Sequence, residues 1–83
     1  MTNLQKAIQR TEEALKAGRI LRAYNQLDRE DTTVGPYTEA VDRGFRFAVI
    51  GKSKFTQVKT AREAAISFVN RVGTTRANEA ARG

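Results

Sequence analysis

Three consecutive residues, Gly51-Lys52-Ser53, are of the types that close a phosphate-binding loop. That chemistry needs Gly, four residues, then Gly-Lys-Ser/Thr between a strand and a helix, so that successive backbone N–H groups curl around the phosphates. The position owed to the first glycine is Arg46, and the segment after Ser53, "KFTQVKT", is rich in β-formers. The triplet therefore reads as a hairpin tip, its glycine serving the turn. Histidine and cysteine are both absent, which excludes Ser-His and Cys-His nucleophiles and Cys/His metal sites. The carboxylates of Asp28, Glu30 and Asp31 are interrupted by Arg29. A hard cation needs oxygens that converge at defined spacing. No catalytic, cofactor-binding or metal-binding residue is assigned, and no enzyme is expected.

Binding is better supported than catalysis. Fifteen Lys and Arg against nine Asp and Glu give a net charge of +6, which favours an anionic partner such as nucleic acid, a nucleoprotein complex or an acidic protein face. The charge is concentrated. Arg43, Arg46, Lys52, Lys54, Lys59 and Arg62 fall in a stretch with no acidic residue between Asp42 and Glu63. Phe55 and Ile50 lie among them. Lys and Arg at the tip and edges of a two-stranded ribbon can contact phosphates, and an exposed Phe can stack on a base. The competing reading makes Phe55 and Ile50 a second core layer beneath the N-terminal helices. The N-terminal cations Lys6, Arg10, Lys16, Arg19 and Arg22 are diluted by Glu12 and Glu13 and read as a solvated face, with Glu12–Lys16 an i,i+4 pair.

The elements that must position these residues are legible from period and punctuation. Thr2-Asn3-Leu4-Gln5 is a capping box ahead of a helical stripe of Leu4, Ala7, Ile8, Thr11, Ala14 and Leu15. Gly18 interrupts it. The next apolar set, Ile20, Leu21, Tyr24 and Leu27, points the other way at 100° per residue, so a second helix after a break is expected, with a strand over "RILRAYNQL" as the alternative. "DREDTTVGPY" reads as a loop. "YTEAVDRG" is expected to be a strand, with a short helix capped by Gly44 as the alternative. Residues 45–59 form a hairpin, closed either by Gly51-Lys52 or by a four-residue loop from Gly51 to Lys54. Phe45, Phe47, Val49, Thr56 and Val58 share one face. Arg46, Ala48, Ile50, Phe55, Gln57 and Lys59 share the other. Thr60-Ala61-Arg62-Glu63 is a second capping box, opening a helix whose Ala61, Ala64, Ala65, Phe68, Val69 and Val72 should pack on the first of these faces. "TTRANEAARG" has little to bury and reads as a frayed tail.

The stretch "FRFAVIGKSKFTQVKTAREAAISFV", residues 45–69, resembles the hairpin-then-helix part of three-stranded DNA-binding domains, as found at the N-terminus of tyrosine recombinases and in related plant transcription factors. The matching pieces are "FRFAVI", "GKSK", "FTQV" and "TAREAA". The resemblance implies a sheet that lies in the major groove. It leaves the N-terminal forty residues unexplained and includes no catalytic recombinase segment.

The chain is thus expected to be one small α+β domain: a helical half over 1–30, a β-hairpin plus helix over 37–73, and a tail over 74–83. With no apolar run near the ~20 residues of a membrane span and no signal-peptide pattern, a soluble cytoplasmic protein is expected. The leading function is a small basic nucleic-acid-binding module whose site is Arg43, Arg46, Lys52, Lys54, Phe55, Lys59 and Arg62. The alternative is a phage or mobile-element inhibitor or regulator, anti-CRISPR-like in kind, that docks on a host protein or nucleoprotein complex. A third expectation is a homodimer through Ile20, Leu21, Tyr24 and Leu27.

Overall fold

The computed structural model describes residues 1–83. Thr2 caps helix α1 (Asn3–Lys16) in a complete capping box: its hydroxyl accepts the Gln5 amide at 3.1 Å, and Gln5 Oε1 accepts the Thr2 amide at 2.9 Å. The helix ends in a Schellman motif. Gly18, at φ 85°, donates to the Leu15 carbonyl and Arg19 to that of Ala14. The left-handed backbone there is what glycine permits and other residues resist.

The chain then enters a four-stranded antiparallel meander in the order β1 (Leu21–Asn25), β2 (Glu30–Pro36), β3 (Phe47–Ile50) and β4 (Phe55–Val58). Between β2 and β3 runs the short helix α2 (Thr38–Asp42), which ends in the same motif at Gly44 and Phe45. Helices α3 (Ala61–Val72) and α4 (Thr74–Arg82) complete the chain.

The fold is α+β, as the patterning implies, with four departures. Residues 21–25 are a strand, so the helical half stops at α1. "DREDTTVGPY" holds strand β2. "YTEAVDRG" holds helix α2 and contributes no strand. The segment 74–83 is mostly helix α4, with Ala77 fully buried in the core and Ala80 and Ala81 packed against it. Arg19 holds this last helix by donating to the carbonyls of Ala80, at 3.0 Å, and Ala81. A cation at the C-terminal end of a helix meets both its unpaired carbonyls and its dipole.

The core lies on one side of the sheet. Leu21, Val34 and Val49 form a continuous cross-strand row and meet Phe68, Val69 and Val72 of α3. α1 packs across α3 and α4 through Leu15 and the small side chains of Ala7 and Ala14, against a surface that includes Ala64, Ala65 and Ala77. Alanine at such positions lets helix backbones approach closely, and burying Phe68 contributes about 1.5–3 kcal/mol. α3 therefore does pack on the Phe47, Val49, Val58 face of the hairpin.

Candidate nucleic-acid interface

Helices α1, α3 and α4 pack on the core side of the sheet; on the opposite side Ala48 is nevertheless buried, as is Ala40 of α2, which contacts β3. β-alternation places one row across all four strands there: Arg22, Thr33, Ile50 and Phe55. Beside it runs a second row, Gly35, Ala48 and Gln57. Phe55 is 49 % exposed and Ile50 36 %, so neither is a second core layer beneath the N-terminal helices. Those helices cover the other face.

Two further residues complete the apolar centre. Ile20, 68 % exposed, lies over Gly35, where a β-carbon would come within 2.9 Å of Ile20 Cγ1. Tyr37 meets Phe55 edge-on, with ring centroids 5.3 Å apart at 70°, a favourable aromatic geometry. Its hydroxyl donates to Glu39 Oε2 at 3.4 Å. Ile20, Gly35, Tyr37, Ala48 and Ile50 line a shallow cavity of about 120 Å³, well below the range of enclosed small-molecule pockets.

The hairpin tip is the four-residue loop, with Ile50 opposite Phe55 and the Gly51 amide donating to the Lys54 carbonyl at 2.8 Å. Gly51 does not take a left-handed backbone, so turn geometry does not demand glycine there. Lys52 and Lys54 are exposed at this tip, and neither forms an ion pair. At the hairpin base Arg46 and Lys59 stand one step beyond the Phe47–Val58 pair, with the Arg46 amide donating to the Val58 carbonyl at 3.0 Å. Both are exposed and lie just outside the regular strands. The Lys59 ammonium lies 5.9 Å from the centre of the Phe45 ring.

Two predicted site residues fall elsewhere. Arg43 is exposed at the end of α2, at the opposite end of the sheet from Lys52 and Lys54. Arg62, in the first turn of α3, turns to the helical side and pairs with Glu12 at 3.5 Å, while Lys16 holds the other oxygen of that carboxylate at 3.1 Å. The hairpin thus carries Lys52, Lys54 and Phe55 at its tip end and Arg46 and Lys59 at its base, the end at which Arg43 also lies, while Arg62 is turned to the helical side.

Arg22 and Tyr37 join the open face without having been marked by sequence, and Ile20, expected in a dimer surface, joins them. Only the β1–β2 register brings Arg22 and Ile20 there, and that register is invisible while residues 19–28 read as helix. The same change removes the supposed dimer stripe. Leu21 is 2 % exposed and belongs to the core, whereas Ile20 faces the other way. Tyr24, at the β1 edge, is covered in part by Arg76, whose guanidinium lies 5.7 Å from its ring centre. Asp31, opposite Tyr24, is the one acidic side chain that alternation places on this face.

No cluster of three or more acidic groups is arranged to hold a metal ion, and no helix is long and apolar enough to cross a membrane. Comparison with protein-family models, curated proteins and solved structures gives no match.

Proposed function

We propose that the protein is a small nucleic-acid-binding module that contacts phosphates through the β3–β4 hairpin. One observation carries this reading. Arg46, Lys52, Lys54 and Lys59 occupy the tip and base of a single hairpin, and none is within ion-pairing distance of a carboxylate. Unpaired cations on one rigid element are the footprint of a phosphate contact, where the gain comes from counterion release. Only Lys16 and Arg62 form ion pairs on this surface, both with Glu12, so what marks the hairpin is four cations on one element within a stretch that has no acidic residue between Asp42 and Glu63. The likeness of residues 45–69 to the hairpin-helix part of three-stranded DNA-binding domains supports the same reading by analogy.

The test is binding of labelled DNA and RNA oligonucleotides across a salt series. Affinity should fall log-linearly with salt. Changing Arg46, Lys52, Lys54 and Lys59 together to Ala should flatten that slope. An unchanged slope overturns the assignment.

A second reading, docking on an acidic protein surface, draws on the contiguous exposure of Ile20, Ile50 and Phe55. Apolar centres with charged rims also mark protein interfaces. A purified complex that survives nuclease treatment and holds no oligonucleotide would favour it.

A further inference from the structure

We propose that the open sheet face is a stacking platform for single-stranded nucleic acid, with Phe55, braced by Tyr37, as the base-contacting residue. The proposal rests on the nucleic-acid reading above and narrows it to one class of strand.

Shape argues first. A ribbon that reads duplex must enter the major groove, which is about 12 Å wide. Here the hairpin is not free-standing: β2 is bonded to β3 along its length, and β1 to β2. Four strands at about 4.8 Å spacing span roughly 14 Å before side chains are counted. Face-on, the sheet is too broad for the groove, and its loops at 26–29 and 51–54 end together at one edge.

Chemistry argues second. Readout of base edges in a duplex uses paired donors and acceptors. The centre of this face instead offers Ile20, Ile50 and Phe55, with Thr33 and Gln57 as its polar members, while Ala48 is buried. Such a surface suits the π-faces of unpaired bases, which every base presents whatever its sequence. Phe55 is half exposed yet held in place by the Tyr37 ring, so little side-chain freedom remains to be lost when a base stacks on it. The dimple between Ile20, Tyr37 and Ile50 lies alongside.

Charge selects the occupant. Arg22, Lys52 and Lys54, with Arg46 and Lys59 at the hairpin base, rim the apolar centre, against Asp31, the Tyr37-bound Glu39 and Asp28, whose carboxylate lies beside Gly51 at the tip. A second copy of this chain would bring the same cations to the same rim, a like-charge juxtaposition that disfavours pairing. A strand whose bases stack inward presents its phosphates to that rim.

The experiment compares a short labelled single strand with the duplex of the same sequence, against the wild type and Phe55→Ala, Phe55→Tyr and Phe55→Leu. Phe55→Ala should weaken single-strand binding about tenfold and leave duplex binding within about twofold. Phe55→Tyr should restore it; Phe55→Leu, apolar but without a π-face, should not. A Phe55→Trp reporter should be quenched by the single strand and not by the duplex. Circular dichroism confirms folding of each variant. Equal loss on both substrates, or no loss on either, overturns the platform while the phosphate-binding reading stands. No binding to any oligonucleotide overturns both. A wild-type dimer in solution that Phe55→Ala dissolves also overturns the platform, by assigning the face to a second copy.

Discussion

Ile20 occupies the space that a side chain at position 35 would need: a β-carbon on Gly35 would stand 2.9 Å from Ile20 Cγ1 and 3.3 Å from its Cα. Gly35 is in strand β2 with an ordinary extended backbone, so close approach, not conformation, fixes the residue. Gly35→Ala should cost about 1 kcal/mol through overpacking. Ile20→Ala removes the nearest atom but keeps the Cα and Cβ at 3.3 Å, so the double variant should recover part of that loss. A double-mutant cycle by urea unfolding measures the coupling, and strict additivity would contradict the contact.

The same contact shows why part of this molecule is hidden in its sequence. Ile20, Leu21, Tyr24 and Leu27 are spaced like a helical stripe, yet Leu27 is 89 % exposed in a turn and only Leu21 reaches the core. The true inward set of β1, Leu21, Ala23 and Asn25, contains one large apolar residue, so its period of two is too faint to read. Asn25 is buried for a polar reason. Its Nδ2 donates to Asp28 at 3.2 Å and to Thr32 at 3.4 Å, and its Oδ1 accepts the Leu27 amide at 2.9 Å, which locks the β1–β2 turn. β2 offers only Val34 as an apolar core residue and ends in Gly-Pro, so it resembles a loop. α2 is too short for any period to register. By contrast α1, α3 and the hairpin each carry a cap or a strong alternation, and each stands where the pattern puts it. The cationic hairpin was legible for the same reason. The breadth of the open face was not, because it depends on pairing across β1, β2 and β3.

Helix α4 makes a sharp prediction about the C-terminus. Its inward residues, Ala77, Ala80 and Ala81, follow i, i+3, i+4 spacing but are too small to signal burial by hydropathy. Ala77 is fully buried in the core, so Ala77→Glu would bury a charge without a partner and should cost at least about 3 kcal/mol. A frayed tail would tolerate it. Thermal unfolding separates the two: a melting temperature close to wild type contradicts the docking of α4.

Arg29 closes the β1–β2 turn at φ 56°, the left-handed region that costs a residue with a β-carbon roughly 1 kcal/mol. Arg29→Gly removes that cost but adds chain entropy to the unfolded state. The structure gives Arg29 no ion pair to lose. The net change should be within about 0.5 kcal/mol of zero, whereas Arg29→Val should destabilise by more than 1 kcal/mol, roughly. Equal stability of the two variants, by chemical denaturation, would argue against a left-handed residue here.

The segregation of Arg62 from the hairpin cations predicts a functional contrast between residues of equal charge. Arg62→Ala breaks an exposed pair with Glu12 and should change stability by less than about 1 kcal/mol. It should leave the salt slope of nucleic-acid binding unaltered. Lys52→Ala, at the hairpin tip, should reduce that slope by roughly one phosphate contact. Matched slopes for the two variants would show that binding follows net charge rather than this face.

Thr11 carries the last prediction. Its side chain is fully buried in α1, and Oγ1 has no hydrogen-bond partner. A hydroxyl usually escapes that situation by bonding back to a carbonyl one turn earlier, and Thr11 does not. A buried unpaired polar atom costs about 1–3 kcal/mol. Thr11→Val keeps the branched shape and a similar helix propensity while replacing the hydroxyl with a methyl group. It should therefore stabilise the protein by about 1 kcal/mol, raising the urea midpoint with an unchanged m-value. Thr11→Ala, which also leaves a void in the packing around α1, should not. If Thr11→Val instead lowers the midpoint, the hydroxyl is bonded in solution and the helix packing around it differs from the arrangement described.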